Sequence, residues 1–139
     1  MYVYYVQMSR EKLKNKIKSV IREIDHTVNE MINISHMIGG SFGIIYRRCG
    51  KSNCWCSNKE KLGHPLMRIT FNEQRKSRTK AIPSNDKEWI KEMTDNYRYF
   101  RQNFQKLRQC ENNLNELLNQ FEHEVKKETK GFRDYLKTM

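Results

Sequence analysis

Two long stretches of the chain place apolar residues at alternating steps of four and three, a pattern that restricts the fold more than any other feature. Only Thr27 interrupts the first stretch and only Glu111 the second. Such heptad spacing predicts helices that bury a narrow apolar stripe against another helix. We therefore predict helices over 9–38 and 85–127, followed by a basic tail over 128–139. The apolar positions are Leu13, Ile17, Val20, Ile24, Met31, Ile34 and Ile38, then Ile90, Met93, Tyr97, Phe100, Phe104, Leu107, Leu114, Leu118, Phe121 and Val125.

Between these helices, the segment 42–82, here called the insertion, has the two-residue period of short strands. Apolar and other side chains alternate along its first two strands, as expected where one face is buried. In the third strand basic residues alternate with small ones, and a face so basic meets solvent or phosphate. Asn72 to Gln74 are the predicted turn before this strand. The alternating residues are Phe42, Ile44 and Tyr46, then Met67, Ile69 and Phe71, then Lys76, Arg78 and Lys80.

The insertion also contains Cys49, Cys54 and Cys56, followed eight residues later by His64. Three thiolates and one imidazole are a common closed, tetrahedral ligand set for structural Zn²⁺. We therefore predict that these four residues bind a structural Zn²⁺ ion. Unligated thiols or a redox switch would use the same cysteines. Cys110 lies about 30 Å away along the second helix by helical rise, so we interpret it as a buried thiol.

Together these patterns predict an α+β protein of one elongated domain, residues 1–139. Its architecture would be a long antiparallel coiled-coil helical hairpin with a small three-stranded, zinc-binding β insertion at its tip. Residues 1–8 are rich in tyrosine and suit a short strand or a frayed end. Some apolar residues lie beside the two heptad stripes, so we expect a homodimer or higher oligomer. They are Ile21, Val28, Ile32, Trp89, Tyr99 and Leu117.

Charge is concentrated in the insertion, where ten basic residues and two acidic ones give +8 of the total +11. With a pI near 9.6 the chain should bind polyanions, nucleic acid before anionic membrane. DNA and RNA both remain open. Trp55 is either a platform for a base or a lid over the metal, and the lid is favoured. The predicted nucleic-acid contacts are Arg47, Arg48, Lys51, Trp55, Lys59, Lys61, Arg68, Lys76, Arg78 and Lys80.

The same sequence argues against membrane insertion and against catalysis. No apolar run approaches the roughly 18 residues of a membrane span, and the first residues lack the pattern of a leader. We expect a cytoplasmic protein, where thiols stay reduced. The chain has no Ser-His-Asp set, phosphate-binding glycine loop or acidic metal cluster, and His26, His36 and His123 lie singly on predicted helices. A non-enzymatic function is therefore expected.

The run from Gly43 to Cys56, which contains Cys-Gly-Lys-Ser-Asn-Cys-Trp-Cys, resembles a family of short, uncharacterised prokaryotic proteins loosely associated with mobile elements. A following His-Pro, a basic strand ending in Pro83, and Asn-Tyr-Arg at 96–98 extend the resemblance over about 42–118. Members typically read His-Gly-Pro-Tyr where this chain reads Gly-His-Pro-Leu at 63–66. The resemblance implies the zinc site and the fold more than any activity.

We therefore expect a non-catalytic nucleic-acid-binding protein that uses a zinc-ordered basic tip. It would be an accessory subunit of a mobile-element or other nucleoprotein complex, with a recombinase or another enzyme of the same element as partner. The alternative is a coiled-coil adaptor whose heptads bind a protein partner. A thiol-based redox sensor is a third class.

Overall fold

The computed structural model describes residues 8–139, which form two helices and one three-stranded sheet. This mixed content, with one long helix, confirms the coarse prediction. The predicted strand or frayed end over 1–8 falls outside the described residues except for Met8. The elements are α1 (Arg10–Ile32), β1 (Ser41–Arg47), β2 (His64–Glu73), β3 (Lys76–Ala81) and α2 (Lys87–Lys130), with short 3-10 turns at Trp55–Ser57, Ser84–Asp86 and Asp134–Leu136.

Helix α1 ends at Ile32, six residues before the predicted end at Ile38. The chain beyond it bonds to α2 instead of continuing its own helix. The Ile38 N–H donates to the Met93 carbonyl at 3.0 Å, and the Asn96 side chain donates to the His36 carbonyl at 2.9 Å. Because these backbone groups are satisfied by a distant part of the chain, the apolar spacing alone does not prolong the helix.

The sheet has the strand order β1-β2-β3, and both strand pairs are antiparallel. The turn between β2 and β3 consists of Gln74 and Arg75, whose φ angles of 50° and 66° are those of a two-residue hairpin turn. The predicted turn over Asn72 to Gln74 is therefore displaced, because β2 continues to Glu73, which lies opposite Lys76.

The strand register places apolar and basic side chains on one face of the sheet. Ile69 lies opposite Phe42 on one side and Lys80 on the other, while Phe71 lies opposite Arg78. Directly opposed residues of antiparallel strands share a face. The alternating apolar residues of β1 and β2 and the basic residues of β3 therefore share this face, here called the mixed face. Every residue of β3 is exposed.

The described chain divides into two compact units. The helical unit contains residues 8–33 and 102–139, and the sheet unit is Ile34–Arg101. Helix α2 contributes to both. No helix in the described part of the chain combines the length and apolar character needed to cross a membrane.

The core of the helical unit is a cluster of buried residues from α1 and α2. Leu13 and Val20 of α1 are buried with Cys110 and Leu117 of α2. Exposed ion pairs join Arg10 to Glu128 at 3.2 Å and Lys106 to Glu23 at 3.9 Å. Exposed pairs contribute little to stability, so apolar burial holds this unit together. The half-buried residues against the cluster are Met8, Ile17, Ile24, Leu114 and Phe121.

In the second half of α2, two buried positions differ by one residue from the predicted heptads. Cys110 and Leu117 are buried, whereas Glu111 is exposed and Leu118 is 44% exposed. Placing Glu111 and Leu118 in the stripe was wrong, and the prediction of a buried Cys110 is confirmed. Two three-residue steps follow one another in the buried stripe, from Phe104 to Leu107 and from Leu107 to Cys110, so Cys110 and Leu117 are buried one residue before the predicted positions.

In the sheet unit, the buried side chains outside the loop between β1 and β2 are those of Ile82, Ile90, Met93 and Thr94. The Thr94 hydroxyl donates to the Ile90 and Lys91 carbonyls, both at 3.0 Å. In the helical unit the buried hydroxyl of Thr27 is likewise satisfied, within its own helix. Thr27 therefore continues the buried stripe instead of breaking it, because its polar atom needs no water.

Candidate metal centre

The sheet and the loop between β1 and β2 position the four predicted ligands together. Cys49 lies two residues beyond the end of β1, and His64 is the first residue of β2. Since Arg47 lies opposite His64 in the register, the two ends of this loop are adjacent. Cys54 and Cys56 lie at the 3-10 turn inside the loop.

The four ligand atoms lie within 4.8 Å of one another. The Cys49 and Cys56 sulfurs are 3.4 Å apart, and the Cys54 sulfur is 3.3 Å from His64 Nε2. A tetrahedral ion with bonds of about 2.0–2.3 Å requires its ligand atoms to be roughly 3.3–3.8 Å apart. The donor set therefore fits a metal ion after small side-chain movements, and the predicted grouping of these four residues is confirmed.

Two glycines shape this loop. Gly50, directly after the first ligand, has a φ of +81°, in the left-handed region that other residues rarely adopt. Gly63 precedes the histidine ligand, and a Cβ atom there would lie 2.4 Å from the carbonyl carbon and oxygen of Arg47. A larger residue at 63 would push the start of β2 away from the end of β1.

Arg48 holds the loop together through hydrogen bonds to its backbone. Its guanidinium donates to the carbonyl oxygens of Cys56 at 2.6 Å, Asn58 at 3.0 Å and Lys61 at 3.3 Å. These carbonyls belong to a segment without strand or long helix, so one cation satisfies three backbone groups. Arg48 therefore has a structural role that sequence analysis missed, and its contact with nucleic acid stays a prediction.

Hydrogen bonds also set the protonation of the thiols. A bond from the backbone of Lys51, followed by bonds with the Cys56 and His64 side chains, lowers the pKa of Cys49 to about 6. The backbone N–H of Cys49 lowers the pKa of Cys56, but burial and the shared thiol bonds outweigh it, so the pKa of Cys56 is raised. Metal ligands must be deprotonated, so Cys49, as a thiolate at neutral pH, can bind a cation without first losing a proton.

Trp55 lies against the histidine ligand. Its ring centroid is 4.7 Å from that of His64, with the two planes inclined by 59°. The indole is 49% exposed. This contact is what the lid interpretation predicts, and the exposed part of the ring leaves the platform interpretation open.

The predicted basic contacts are divided between the two faces of the sheet. Arg47 and Arg68 lie on the face of His64, whereas Lys80 and Arg78 lie on the mixed face. Arg78 forms an ion pair with Glu73 at 3.1 Å, and both side chains are exposed. The structure therefore does not gather the basic residues on one face. The remaining exposed ones are Lys51, Lys59 and Lys61 in the loop and Lys76 in β3.

Sequence analysis also missed a cavity in the sheet unit, here called the sheet-edge cavity. Its walls come from three segments far apart in sequence, so no local motif announces it. The one available signal was Tyr97, a polar aromatic residue in an apolar heptad series. The lining residues are Gly39, Gly40, Ser41, Thr70, Phe71, Asn72 and Tyr97.

Comparison with known proteins identifies a family but no characterised relative. A family model described as a domain of unknown function, DUF6788, matches residues 10–92. The match covers more than half of the chain and includes α1, the sheet and all four donor residues. No curated protein and no solved structure gives a significant match.

Proposed function

The chain belongs to the DUF6788 family of unknown function, and from the site itself we propose that it is a non-catalytic, zinc-stabilised nucleic-acid-binding protein. The observation that supports this most strongly is the position of the donor cluster. It lies in the loop of the insertion, which holds ten of the chain's basic residues. A metal there would order the most cationic part of the molecule.

Zinc is the proposed metal because of the donor atoms. Thiolates and imidazole favour Zn²⁺ over Mg²⁺ or Ca²⁺, which prefer oxygen ligands. Four protein ligands fill a tetrahedral shell and leave no open position for a substrate, so the role is structural rather than catalytic. Zn²⁺ would supply the folding free energy that the loop's few buried side chains cannot.

Exposed lysines and arginines on the loop and the sheet are the proposed nucleic-acid surface. Lys51, Lys59 and Lys61 lie on the loop, and Lys76 and Lys80 lie on the edge strand β3. Binding through phosphates releases counterions, so the affinity should fall steeply as salt rises. Because basic residues occupy both faces, the nucleic acid is expected to follow the edge of the sheet.

The helical unit is proposed to be an antiparallel coiled coil that assembles with a second copy. The buried cluster shared by the two helices supports this, as do the ion pairs Arg10–Glu128 and Glu23–Lys106, whose order reverses along the two helices. Ile21 remains exposed on this unit and would be covered in a homodimer. In this arrangement the protein would serve as an accessory subunit of a nucleoprotein complex, such as that of a mobile-element recombinase.

A salt titration with matched charge variants tests the nucleic-acid proposal. K59A/K80A removes two charges from the insertion, and R22A/K127A removes two from exposed positions of the helical unit. For labelled single-stranded and duplex oligonucleotides, the first variant should lower the slope of log affinity against log salt by about 2 and the second should not. The proposal would be rejected if the slope fell equally in both variants, or if the wild type did not bind at about 50 mM salt.

The exposed apolar residues of the loop favour a protein-interaction adaptor as the second candidate. Leu62 is 68% exposed and lies in the same loop as the half-exposed Trp55. An adaptor should purify free of nucleic acid, and R47A/R78A/K80A should leave its partner binding intact. Arg48 is excluded from this variant because its loss would disturb the loop itself.

A further inference from the structure

The sheet-edge cavity has the size and position of a ligand site. Its volume is about 320 Å³, near the lower end of the roughly 300–1,000 Å³ typical of small-molecule pockets. It lies entirely in the sheet unit and shares no residue with the metal centre.

The cavity exists because β2 is longer than its partner strand. The ladder between β1 and β2 begins at Ser41 and Thr70, whereas β2 continues to Glu73. Phe71 therefore has no residue opposite it in β1. Tyr97 of α2 and the glycines before β1 form the other walls.

The lining selects a planar, uncharged ligand that can form hydrogen bonds. Phe71 and Tyr97 supply aromatic surface, while Ser41, Thr70 and Asn72 supply hydroxyl and amide groups. Among the described residues that line the cavity, none carries a charge. Unpaired nucleobases are recognised by this combination of aromatic side chains and neutral hydrogen-bonding groups.

The walls are held in place by main-chain contacts. The Ile38 N–H donates to the Met93 carbonyl of α2, and the Asn96 side chain of α2 donates to the His36 carbonyl. These two bonds hold the segment that leads into β1. At Gly40 an added Cβ atom would lie 2.8 Å from the Thr70 carbonyl oxygen, so the chain approaches β2 as closely as glycine allows. A cavity formed in advance costs little ordering free energy when a ligand binds.

Cationic side chains accompany the cavity on the mixed face. Arg78 lies opposite Phe71, and Lys80 lies opposite Ile69, two residues away along β2. The acid nearest in the register is Glu73, which is paired with Arg78 and lies opposite Lys76. Since that ion pair is exposed, a phosphate can replace the carboxylate at small cost.

We propose that the sheet-edge cavity binds one unpaired nucleobase of a single-stranded nucleic acid, whose neighbouring phosphates contact Arg78 and Lys80. This inference rests on the proposed function and deepens it, because it assigns single-stranded DNA or RNA as the ligand class. Stacking on aromatic side chains with phosphates on a cationic strand is the general mode of single-strand binding.

Gly39 offers a way to fill the cavity without disturbing the fold. A Cβ atom there would lie 3.8 Å from the Tyr97 ring, an ordinary contact, and the Gly39 backbone is outside the left-handed region. Gly39→Leu places a side chain at the cavity, and Gly39→Ala is the matched control that adds only the Cβ atom. Tyr97→Leu is a second variant that removes the aromatic surface at similar volume.

The probes are labelled ten-nucleotide single strands of DNA and of RNA, the same strands with abasic sites, and a duplex. Gly39→Leu and Tyr97→Leu should each weaken binding of the base-bearing single strands about tenfold, the loss of one stacked base. Binding of the abasic strand and the duplex should not change, and Gly39→Ala should match the wild type. The better-binding strand type identifies the sugar.

Two results would overturn the inference. The cavity holds no base if both variants bind base-bearing strands as tightly as the wild type does. The same conclusion follows if their affinity for abasic strands falls as much as that for base-bearing strands. In either case the proposed nucleic-acid binding stands. If the wild type binds none of the probes, the proposed function fails and the inference fails with it. Circular dichroism and metal content of each variant establish that it is folded.

Discussion

The helical unit and the loop that carries the four donor residues are stabilised by opposite means. In the helical unit, apolar side chains from α1 and α2 meet in a continuous buried cluster. Between β1 and β2, in contrast, Cys56 is the one side chain that is fully buried among the described residues. The shape of this loop depends on Arg48 and on the four donor side chains. One region is thus held by area removed from water and the other by a few directed bonds, so they should fail under different conditions.

Metal removal should distinguish the two regions most clearly. Chelation should release the loop, because structural zinc sites contribute about 10 kcal/mol or more to small metal-bound elements. Trypsin should then cut at Lys59 and Lys61, which are exposed, while the helical signal in circular dichroism persists. Added Zn²⁺ should restore resistance. A simultaneous loss of helical signal would show that the helical unit also depends on the metal.

A pair of adjacent leucines tests the apolar side of the comparison. Leu117 is 6% exposed and Leu118 is 44% exposed. Leu117→Ala should lower the free energy of unfolding by about 2–5 kcal/mol through lost burial and the cavity left behind. Leu118→Ala, the matched control, should cost well under half as much. Urea unfolding measures both free energies. Equal losses would show that Leu118 contributes to the core as the strict heptad pattern predicts.

Replacing Arg48 tests the directed bonds of the loop. Arg48→Ala leaves three carbonyl oxygens without their donor, and losing such outer contacts weakens metal binding by about 10–100-fold. Arg47→Ala removes the same charge from the neighbouring position and serves as the control. Competition with a coloured chelator measures the affinity. A similar loss in both variants would mean that charge, and not the carbonyl contacts, matters.

Cys110 gives the smallest expected effect. Burial, and then the nearby Glu23, raise the pKa of this thiol above its ordinary value of 9.0. The unfolded chain therefore loses this proton at lower pH than the folded chain. The thiol's contribution to stability is complete below pH 9 and falls as the pH rises through the folded pKa.

The melting temperature, measured from about pH 8 to about pH 10.5, tests whether Cys110 makes the protein less stable as the pH rises. The wild type should lose more stability than Cys110→Val as the pH rises. Identical pH profiles for the two proteins would show that the thiol does not titrate differently on unfolding.

Elements with a strong local pattern were predictable from sequence. Alternation between Phe42 and Tyr46 and between Met67 and Phe71 identified β1 and β2, and the spacing of Cys49, Cys54, Cys56 and His64 identified the donor cluster. Both signals are short in range, because strand geometry has a period of two and ligand loops are brief. Long heptad series were less exact, as Leu118 shows, since one extra three-residue step in the buried stripe changes which later positions are buried.

By itself, the sequence determined that the chain has two helices with a basic sheet between them in sequence, and four residues able to hold a metal. Side-chain chemistry and local periodicity are enough for that. Tertiary structure alone decided that α1 ends at Ile32, that Arg78 and Phe71 share a face, and that Tyr97 meets the edge of β2 in a cavity. Each of these depends on hydrogen bonds, strand register or packing between residues far apart in the chain, and no local pattern encodes which distant partner is met.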